Sequence, residues 1–533
     1  MTSLPSNYGP EECIAEMLCP TLETEKSNDE LTEHLSKFPV GCYFVSACDG
    51  DKLKSSIQAL QANREVPLAI CADVEKSARC FSESAADFPS PMAMGAAHSP
   101  ELICEMARSC ALESRSLGVN WTLAPVVDLN LNFLNAVTNT RALGDNPERT
   151  CELLRPWIRT LQEYGLAATA KHFPGDGIDD RDQHLCTSVN SLPMEDWETT
   201  YGRIWRQVID DGVMSIMPGH ISLPAWQGFD EDVAECLPAT LDKRLLTDLL
   251  RNRLGFQGVI ISDAAVMVGL SSRAPEDEQI VKFVEAGGDV YLFADSLKDR
   301  ERLLRAFRSG RISEERLRES ASRVLAMKKK LGLFENPFGR PPSADEKAAA
   351  NSAAMSAARQ SLTLLKNKAH FPLNPQKVKR VLTVTLRYAN ESRKPDDLTR
   401  FDEALRSRGI QVDHLINPSH YDIKTKAPAY DVVFMNYYVT QHMKIGTMRL
   451  IEHIPFTYWR SFAADHTCVC HTTFGTPYIE YDLPFIDNLL CAYGPEEPMQ
   501  EVAVEAWFGE FKPTATCPVT LPKVAIQPFR AYR

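Results

Sequence analysis

No excess of basic charge exists in this 533-residue chain: 58 Lys and Arg stand against 71 Asp and Glu, a formal net charge of -13. No basic stripe is available to neutralise phosphates, which argues against a nucleic-acid partner. No apolar run approaches the ~20 residues of a membrane span. The first ten residues are polar, and no apolar core of signal-peptide length follows them. The 15 cysteines are odd in number and scattered, without a Cys-x-x-Cys pair. Cys42, Cys48 and Cys71 lie in apolar runs and read as small core residues, while Cys468 and Cys470 flank one valine, too weak a spacing to mark a metal. These absences together predict a cytoplasmic protein that does not bind membranes. Internal repeats and low-complexity segments are also missing. No Gly-x-Gly-x-x-Gly follows a β-like run, so a dinucleotide site is not expected.

What is present is ordinary globular composition, 44% hydrophobic and 24% charged, in a chain long enough for two or three domains. From about residue 40, short β-rich runs alternate with amphipathic stretches. Candidate strands are 42–47, 66–72, 119–124, 166–170, 213–217, 259–262 and 290–293. Candidate helices between them are 55–63, 100–117, 150–164, 194–210, 243–254 and 276–286. Almost continuously apolar strands alternating with helices imply a parallel sheet covered by helices. Nearly eight units in some 300 residues favour an α/β fold of the (β/α)8 TIM-type barrel class with an irregular first unit; an open doubly wound sheet is the alternative. A helix over 314–331 closes a first domain, 1–335. The Pro/Gly-rich passage from Asn336 predicts a linker, 336–347, and a helix near 348–360 opens a second α/β domain, 348–533, with strands near 380–385, 432–437 and 467–471.

The chemistry concentrates at the ends of strand-like runs. Lys171-His-Phe-Pro-Gly-Asp-Gly-Ile-Asp-Asp-Arg-Asp-Gln-His184 follows an apolar run, turns at Pro-Gly and ends in an Asp-x-His pair. A carboxylate two residues from an imidazole can orient the ring as a proton shuttle. Asp263 tips the run Gly258-Val-Ile-Ile-Ser-Asp263, where a carboxylate is placed as a nucleophile or as a helix cap. Asp73, Asp128, Arg141 and His220 also follow apolar runs. Each alone reads as a satisfied loop residue. Gathered on one face of a barrel, Asp73, Arg141, Lys171, His172, His220 and Asp263 would form a ring of donors and acceptors suited to sugar hydroxyls. Lys171 has a rival role, since a lysine there could form a Schiff base with a carbonyl substrate.

These motifs resemble glycoside hydrolase family 3, in particular its β-N-acetylhexosaminidase branch. Residues 171–184 match the pattern K-H-F-P-G-x-G-x4-D-x-H without a gap. Ala124-Pro-Val-Val-Asp128, Thr140-Arg-Ala-Leu-Gly-Asp145 and Leu254-Gly-Phe-Gln-Gly-Val-Ile-Ile-Ser-Asp263 match further segments in family order. The likeness covers about residues 35–335 well; Phe474-Gly-Thr-Pro-Tyr478 and Cys517-Pro-Val-Thr-Leu-Pro522 carry a looser one in the second domain. Two departures stand out. Asp73-Val-Glu-Lys-Ser-Ala-Arg79 replaces a glycine-bearing D-Q-E-G-G-R, and Ala264 replaces a second aspartate.

The resemblance implies a barrel followed by a C-terminal α/β sandwich, and a retaining exo-β-N-acetylglucosaminidase that removes terminal β-linked GlcNAc. It assigns Asp263 as nucleophile and His184, oriented by Asp182, as acid and base. It places Asp73, Arg141, Lys171 and His172 on the sugar hydroxyls and His220 in the pocket wall. No metal or other cofactor is required by that chemistry. The expected partner is a carbohydrate substrate: a GlcNAc-containing oligosaccharide, muropeptide or glycan. The second domain is left as a brace, a homodimer surface or part of the cleft. Competing readings are a β-glucosidase or other exo-β-glycosidase, a β-N-acetylglucosaminide phosphorylase, and an inactive sugar-binding protein.

Overall fold

The computed structural model describes residues 8–229, 235–387, 397–439 and 468–523. In the first 300 residues the strands are β1 Leu18–Cys19, β2 Cys42–Phe44, β3 Ala69–Ala72, β4 Trp121–Thr122, β5 Thr169–Phe173, β6 Ser188–Val189, β7 Ser215–Pro218, β8 Ile221–Ser222, β9 Val259–Ile260 and β10 Tyr291–Leu292. Parallel ladders join β2–β3–β4, β5–β7–β9 and β1–β10. Isolated parallel bridges, Thr21 to Phe44, Trp121 to Ala167 and Ile261 to Val290, link neighbouring ladders. The pairings therefore run β1-β2-β3-β4-β5-β7-β9-β10, and β10 pairs with β1. The short pair β6–β8 lies outside that order.

Both faces of these strands are apolar, which is why they read as continuous hydrophobic runs. Cys19, Cys42, Cys71, Trp121, Met217 and Val259 belong to one buried cluster. Their neighbours Leu18, Tyr43, Ile70, Ile216 and Ile260 belong to another, shared with the flanking helices. Side chains alternate in this way because strand periodicity is two. Cys42 and Cys71 are fully buried core residues, whereas Cys48 is only partly buried against the core. The first strand pair, Leu18 to Tyr291 and Cys19 to Leu292, is the irregular first unit, too short to stand out in the sequence.

Helix boundaries follow local chemistry. The helix Pro100–Leu117 begins at Ser99, whose hydroxyl accepts from Leu102 N, and stops at Gly118 with φ of 95°. The helix Pro147–Glu163 begins at Asn146, whose side chain accepts from Glu148 N and Arg149 N. The expected helix 194–210 is two, Met194–Thr199 and Tyr201–Asp210. The boundary between helix and linker also moves. Ser343 forms a capping box with Glu346, so residues 344–347 belong to the helix Ala344–Ser361 and not to the linker. The remaining Pro/Gly passage is pinned, since the Arg115 guanidinium donates to Asn336 O and Pro337 O.

The second sheet contains β11 Thr363–Asn367, β12 Arg380–Arg387, β13 Gln411–Ile416, β14 Val432–Tyr438, β15 Val469–Thr473 and β16 Asn488–Cys491. Their order is β11-β16-β15-β14-β12-β13, parallel except for β11 against β16. Apolar clusters cover its two faces, one with Val381, Phe434 and Trp507, the other with Leu382, Val433 and Met435. The whole is an α/β protein with parallel and mixed sheets. The expected strand 467–471 begins in part outside the described residues; β15 runs on to Thr473.

Candidate active site

The residues that sequence reading placed after strands lie at one set of strand ends. Asp73 follows β3, Asp128 follows β4, and Asp263 follows β9. Lys171 and His172 are inside β5 rather than past it. The register of β5 against β7 slips between Lys171 and Phe173. In a regular strand adjacent side chains diverge; here both Lys171 and His172 reach acidic partners in the same cleft.

The first group is a charge-compensated cradle. Lys171 Nζ lies 3.0 Å from Asp73 Oδ1 and 3.1 Å from Glu75 Oε1. Arg141, on the single turn Asn139–Arg141, grips the same Glu75 carboxylate through Nη2 at 2.7 Å and Nε at 3.3 Å. Lys171 is buried, whereas the Asp73 side chain is 55% exposed and so open to a ligand. Burial by itself would lower the Lys171 ammonium, but Asp73 and Glu75 outweigh it and raise it. A Schiff-base lysine needs a neutral amine, so this pairing speaks against the lyase reading. Burial likewise pushes Glu75 up, and Arg141 and Lys171 overcome it, leaving the carboxyl well below the usual range.

The second group surrounds Asp263. Its Oδ1 accepts from Ala264 N at 2.7 Å. Its Oδ2 is buried and, among the described residues, has no hydrogen-bond partner; His172 Nε2 stands 4.0 Å away. Burial raises the Asp263 carboxyl, but His172, His220, the Ala264 N–H and His184 together hold it below its ordinary value. His172 is fixed from behind. Its Nδ1–H donates to Asp128 Oδ2 at 2.7 Å, and its backbone N–H donates to Asp128 Oδ1 at 3.2 Å. His220 lies behind Asp263 rather than open to the cleft. Its Nε2 is 3.0 Å from Ala264 O, and since a carbonyl only accepts, that nitrogen carries the proton. Its Nδ1 faces Thr240 Oγ1 at 2.9 Å. Burial lowers the His220 ring below its ordinary value, with Asp263 opposing. With both nitrogens engaged by protein, His220 positions the segment carrying Asp263.

The third group is the loop after β5. His184 Nδ1–H donates to Asp182 Oδ1 at 2.7 Å, and the same oxygen accepts from His184 N at 2.8 Å. Asp182 is buried, while the imidazole is partly exposed. This leaves Nε2 as the nitrogen for proton exchange. The loop is anchored by Gln183, which donates to Asp176 Oδ2 at 3.2 Å and accepts from His220 N at 2.8 Å. Val268 N donates to His184 O and Gly269 N to Gln183 O, each at 3.2 Å. Hydrogen bonds therefore tie the Asp-x-His loop directly to the segment that follows Asp263.

Sequence reading missed Glu75, the residue that joins Lys171 to Arg141. One acid in the mixed run Asp73–Arg79 carries no periodic signal. Its spacing, two residues past Asp73 at a strand end, was the available hint. Asp128, taken singly a loop residue, orients His172. Asp176, Gln183 and Thr240 gave no sequence signal of their anchoring roles.

Residues 11–327 match the family model described as the glycosyl hydrolase family 3 N-terminal domain. The chain is 31% identical over 537 residues to a β-N-acetylglucosaminidase/β-glucosidase of Cellulomonas fimi, covering 96% of this chain and 94% of that protein. It superimposes with a TM-score of 0.85 on β-glucoside phosphorylase BglX bound to 2FGlc, at 27% identity, over 96% of this chain and 94% of the other. A family 3 β-N-acetylglucosaminidase from Paenibacillus sp. str. FPU-7 gives a TM-score of 0.84 at 24% identity, with 97% and 99% covered, a likeness of fold. The match over more than half of the chain, together with a relative spanning almost all of it, establishes that this protein belongs to glycoside hydrolase family 3 and is a glycoside hydrolase acting on carbohydrate.

Proposed function

We propose that this protein is a retaining exo-β-N-acetylglucosaminidase. The observation that carries the mechanism is Asp263: one oxygen is fixed by Ala264 N–H, and the other is buried and, among the described residues, without a hydrogen-bond partner. A carboxylate held ionised with a bare oxygen is a nucleophile waiting for an electrophilic carbon. In the first step Asp263 Oδ2 bonds to the anomeric carbon while the glycosidic bond breaks. His184 Nε2–H gives its proton to the departing oxygen, and Asp182 steadies the imidazole. In the second step the neutral ring takes a proton from water, whose oxygen displaces Asp263 and releases the sugar. Asp73 and the Lys171–Glu75–Arg141 cradle hold the terminal sugar's hydroxyls. His172 approaches the same sugar beside Asp263, and His220 keeps the Asp263 segment in place.

The strand pairings support a (β/α)8 barrel in 1–335, with β6 and β8 as additions. The covered sheet supports a C-terminal α/β sandwich in 348–533, joined through the passage beginning at Asn336. The N-acetyl sugar is favoured by the Asp182–His184 pair and by the name of the C. fimi relative. That name also includes β-glucosidase, so glucosides are the nearest competing substrate. Likeness to a β-glucoside phosphorylase favours a second reading. An imidazole in place of a carboxylate acid removes a negative charge that would repel phosphate.

The test is turnover of paired nitrophenyl β-glycosides, N-acetylglucosaminide against glucoside, with and without phosphate. Preference for the N-acetyl sugar, indifferent to phosphate, is the expected result. Glucoside preference overturns the sugar assignment, and a phosphate-dependent rate with sugar 1-phosphate as product replaces hydrolysis by phosphorolysis. Trapping with a 5-fluoro N-acetylglucosaminyl donor should label Asp263, and a label elsewhere removes it as nucleophile.

A further inference from the structure

Large apolar side chains are rarely exposed among the described residues, and about half of those that are follow strands of the first sheet. Nine such residues are exposed among the described residues, and five of them, Leu131, Leu185, Val266, Val268 and Leu297, follow β4, β5, β9 or β10. Leu185 is the residue after His184, and Val266 and Val268 lie three and five residues past Asp263. Val266 is 76% exposed, Leu185 45% and Val268 44%. The bond from Val268 N to His184 O, with Thr187 Oγ1 donating to Gly269 O at 2.8 Å, brings the two segments together. Of the nearby charged groups, Arg181 is paired with Asp179 at 2.7 Å, and the Arg273 guanidinium is turned to Cys236 O.

We infer that Leu185, Val266 and Val268 form the platform for the leaving group, and that the leaving group it takes is an apolar aglycone, aryl or alkyl, rather than an anionic one. The assignment rests on His184 as the proton donor. The glycone end is lined by Asp73, Glu75, Arg141 and Lys171, all charged. The proton leaves His184 for the glycosidic oxygen, so whatever is bonded beyond that oxygen lies past His184, toward Leu185 and Val268. Three exposed aliphatic side chains there offer no donor or positive charge to a carboxylate, and they gain from covering an apolar surface. Specificity is thereby split: polar recognition of the sugar, apolar recognition of what it leaves.

The experiment compares octyl and methoxy-triethylene-glycol β-N-acetylglucosaminides, whose alcohols are similar leaving groups, in the full-length protein. The octyl glycoside should show about tenfold higher kcat/KM. L185N/V266N should erase that preference, whereas F334N, an exposed apolar position just before the connecting passage, should keep it. If the enzyme prefers glucosides, the same aglycone pair on glucose is used, so an error in the sugar assignment is separated from an error in the platform. Competition by the matching octyl and glycol thioglycosides gives a binding readout independent of turnover. Equal kcat/KM and equal inhibition for the two aglycones, or an unchanged preference in L185N/V266N, overturns the proposal.

Discussion

Two single residues carry the proposed mechanism and give opposite signatures. Asp263→Asn keeps the volume and removes the nucleophile, so turnover of every β-glycoside should fall by at least about 10⁴-fold with an unchanged circular dichroism spectrum. His184→Ala should cost about 10²–10⁴-fold on alkyl glycosides. It should cost far less on nitrophenyl glycosides, whose phenolate leaves with little help. A Brønsted plot of rate against leaving-group acidity checks this; an equal loss across the series removes His184 as the acid. The strand-end position of Asp263 and the pairing of His184 with Asp182 were legible in the sequence because each residue terminates a recognisable run. Glu75 was not, because its importance lies in sharing one carboxylate between Lys171 and Arg141, residues 96 and 66 positions further on.

At the scale of elements, the loop that presents His184 depends on two glycines. Gly175 and Gly177 have φ of 132° and 100°, and a Cβ on Gly177 would overlap the Leu129 carbonyl oxygen. Gly177→Ala should therefore destabilise the protein by about 1–3 kcal/mol, read as a lower midpoint in denaturant, and should depress turnover of poor leaving groups through His184. The helix Pro100–Leu117 carries a different prediction. Burial pushes the Glu113 carboxyl up to about 7, with Lys347 opposing. The native state then keeps a proton that the unfolded chain releases near pH ~4.3. This group's contribution is full below that pH and is lost as the pH rises through about 7. Glu113→Gln should raise the melting temperature at pH 8 and not at pH 4; a gain at both pH values would mean packing rather than ionisation. Amphipathic spacing and caps made the helices Pro100–Leu117 and Glu276–Ala286 readable to the residue. The shift of β5 onto Lys171 and His172 was not readable, since its pairing with β7 decides it.

At the scale of the molecule, the second sheet reaches the wall of the site. The segment 73–90 holds Asp73 and Glu75 at one end and meets the C-terminal residues at the other. Lys76 is paired with Glu496, Arg79 Nη2 with Glu497 Oε1 at 2.7 Å, and Ser90 Oγ donates to Tyr493 O at 3.0 Å. Met92 and Ala93 pack with Tyr478, Cys491 and Tyr493. The helix Ala344–Ser361 serves both cores, with Ala350 and Ala354 in one and Ala358, a turn further on, in the other. This is the geometry of a brace. Glu496→Gln should loosen the Asp73 wall and raise KM for the glycoside up to about 100-fold, with kcat on activated substrates less affected. A reciprocal Lys76→Met should reproduce the effect, and the double variant should be no worse than either alone. Additive losses would mean that the two residues act separately.

The sequence by itself determined the alternation of apolar strands and amphipathic helices, the caps and turns, the types of residue at each strand end and the family motif through residues 171–184. These are local properties, written in periodicity, in backbone preferences of Gly, Pro and Asn, and in chemistry available at each position. The tertiary structure alone decided which groups share a proton or a charge. It bonded Glu75 to two cations, set Asp128 behind His172, turned His220 inward, left Asp263 Oδ2 without a hydrogen-bond partner among the described residues and bonded Val268 N to His184 O. Electrostatics and packing act through space over a few ångströms, and residues that close in space are separated here by tens to hundreds of positions in the chain.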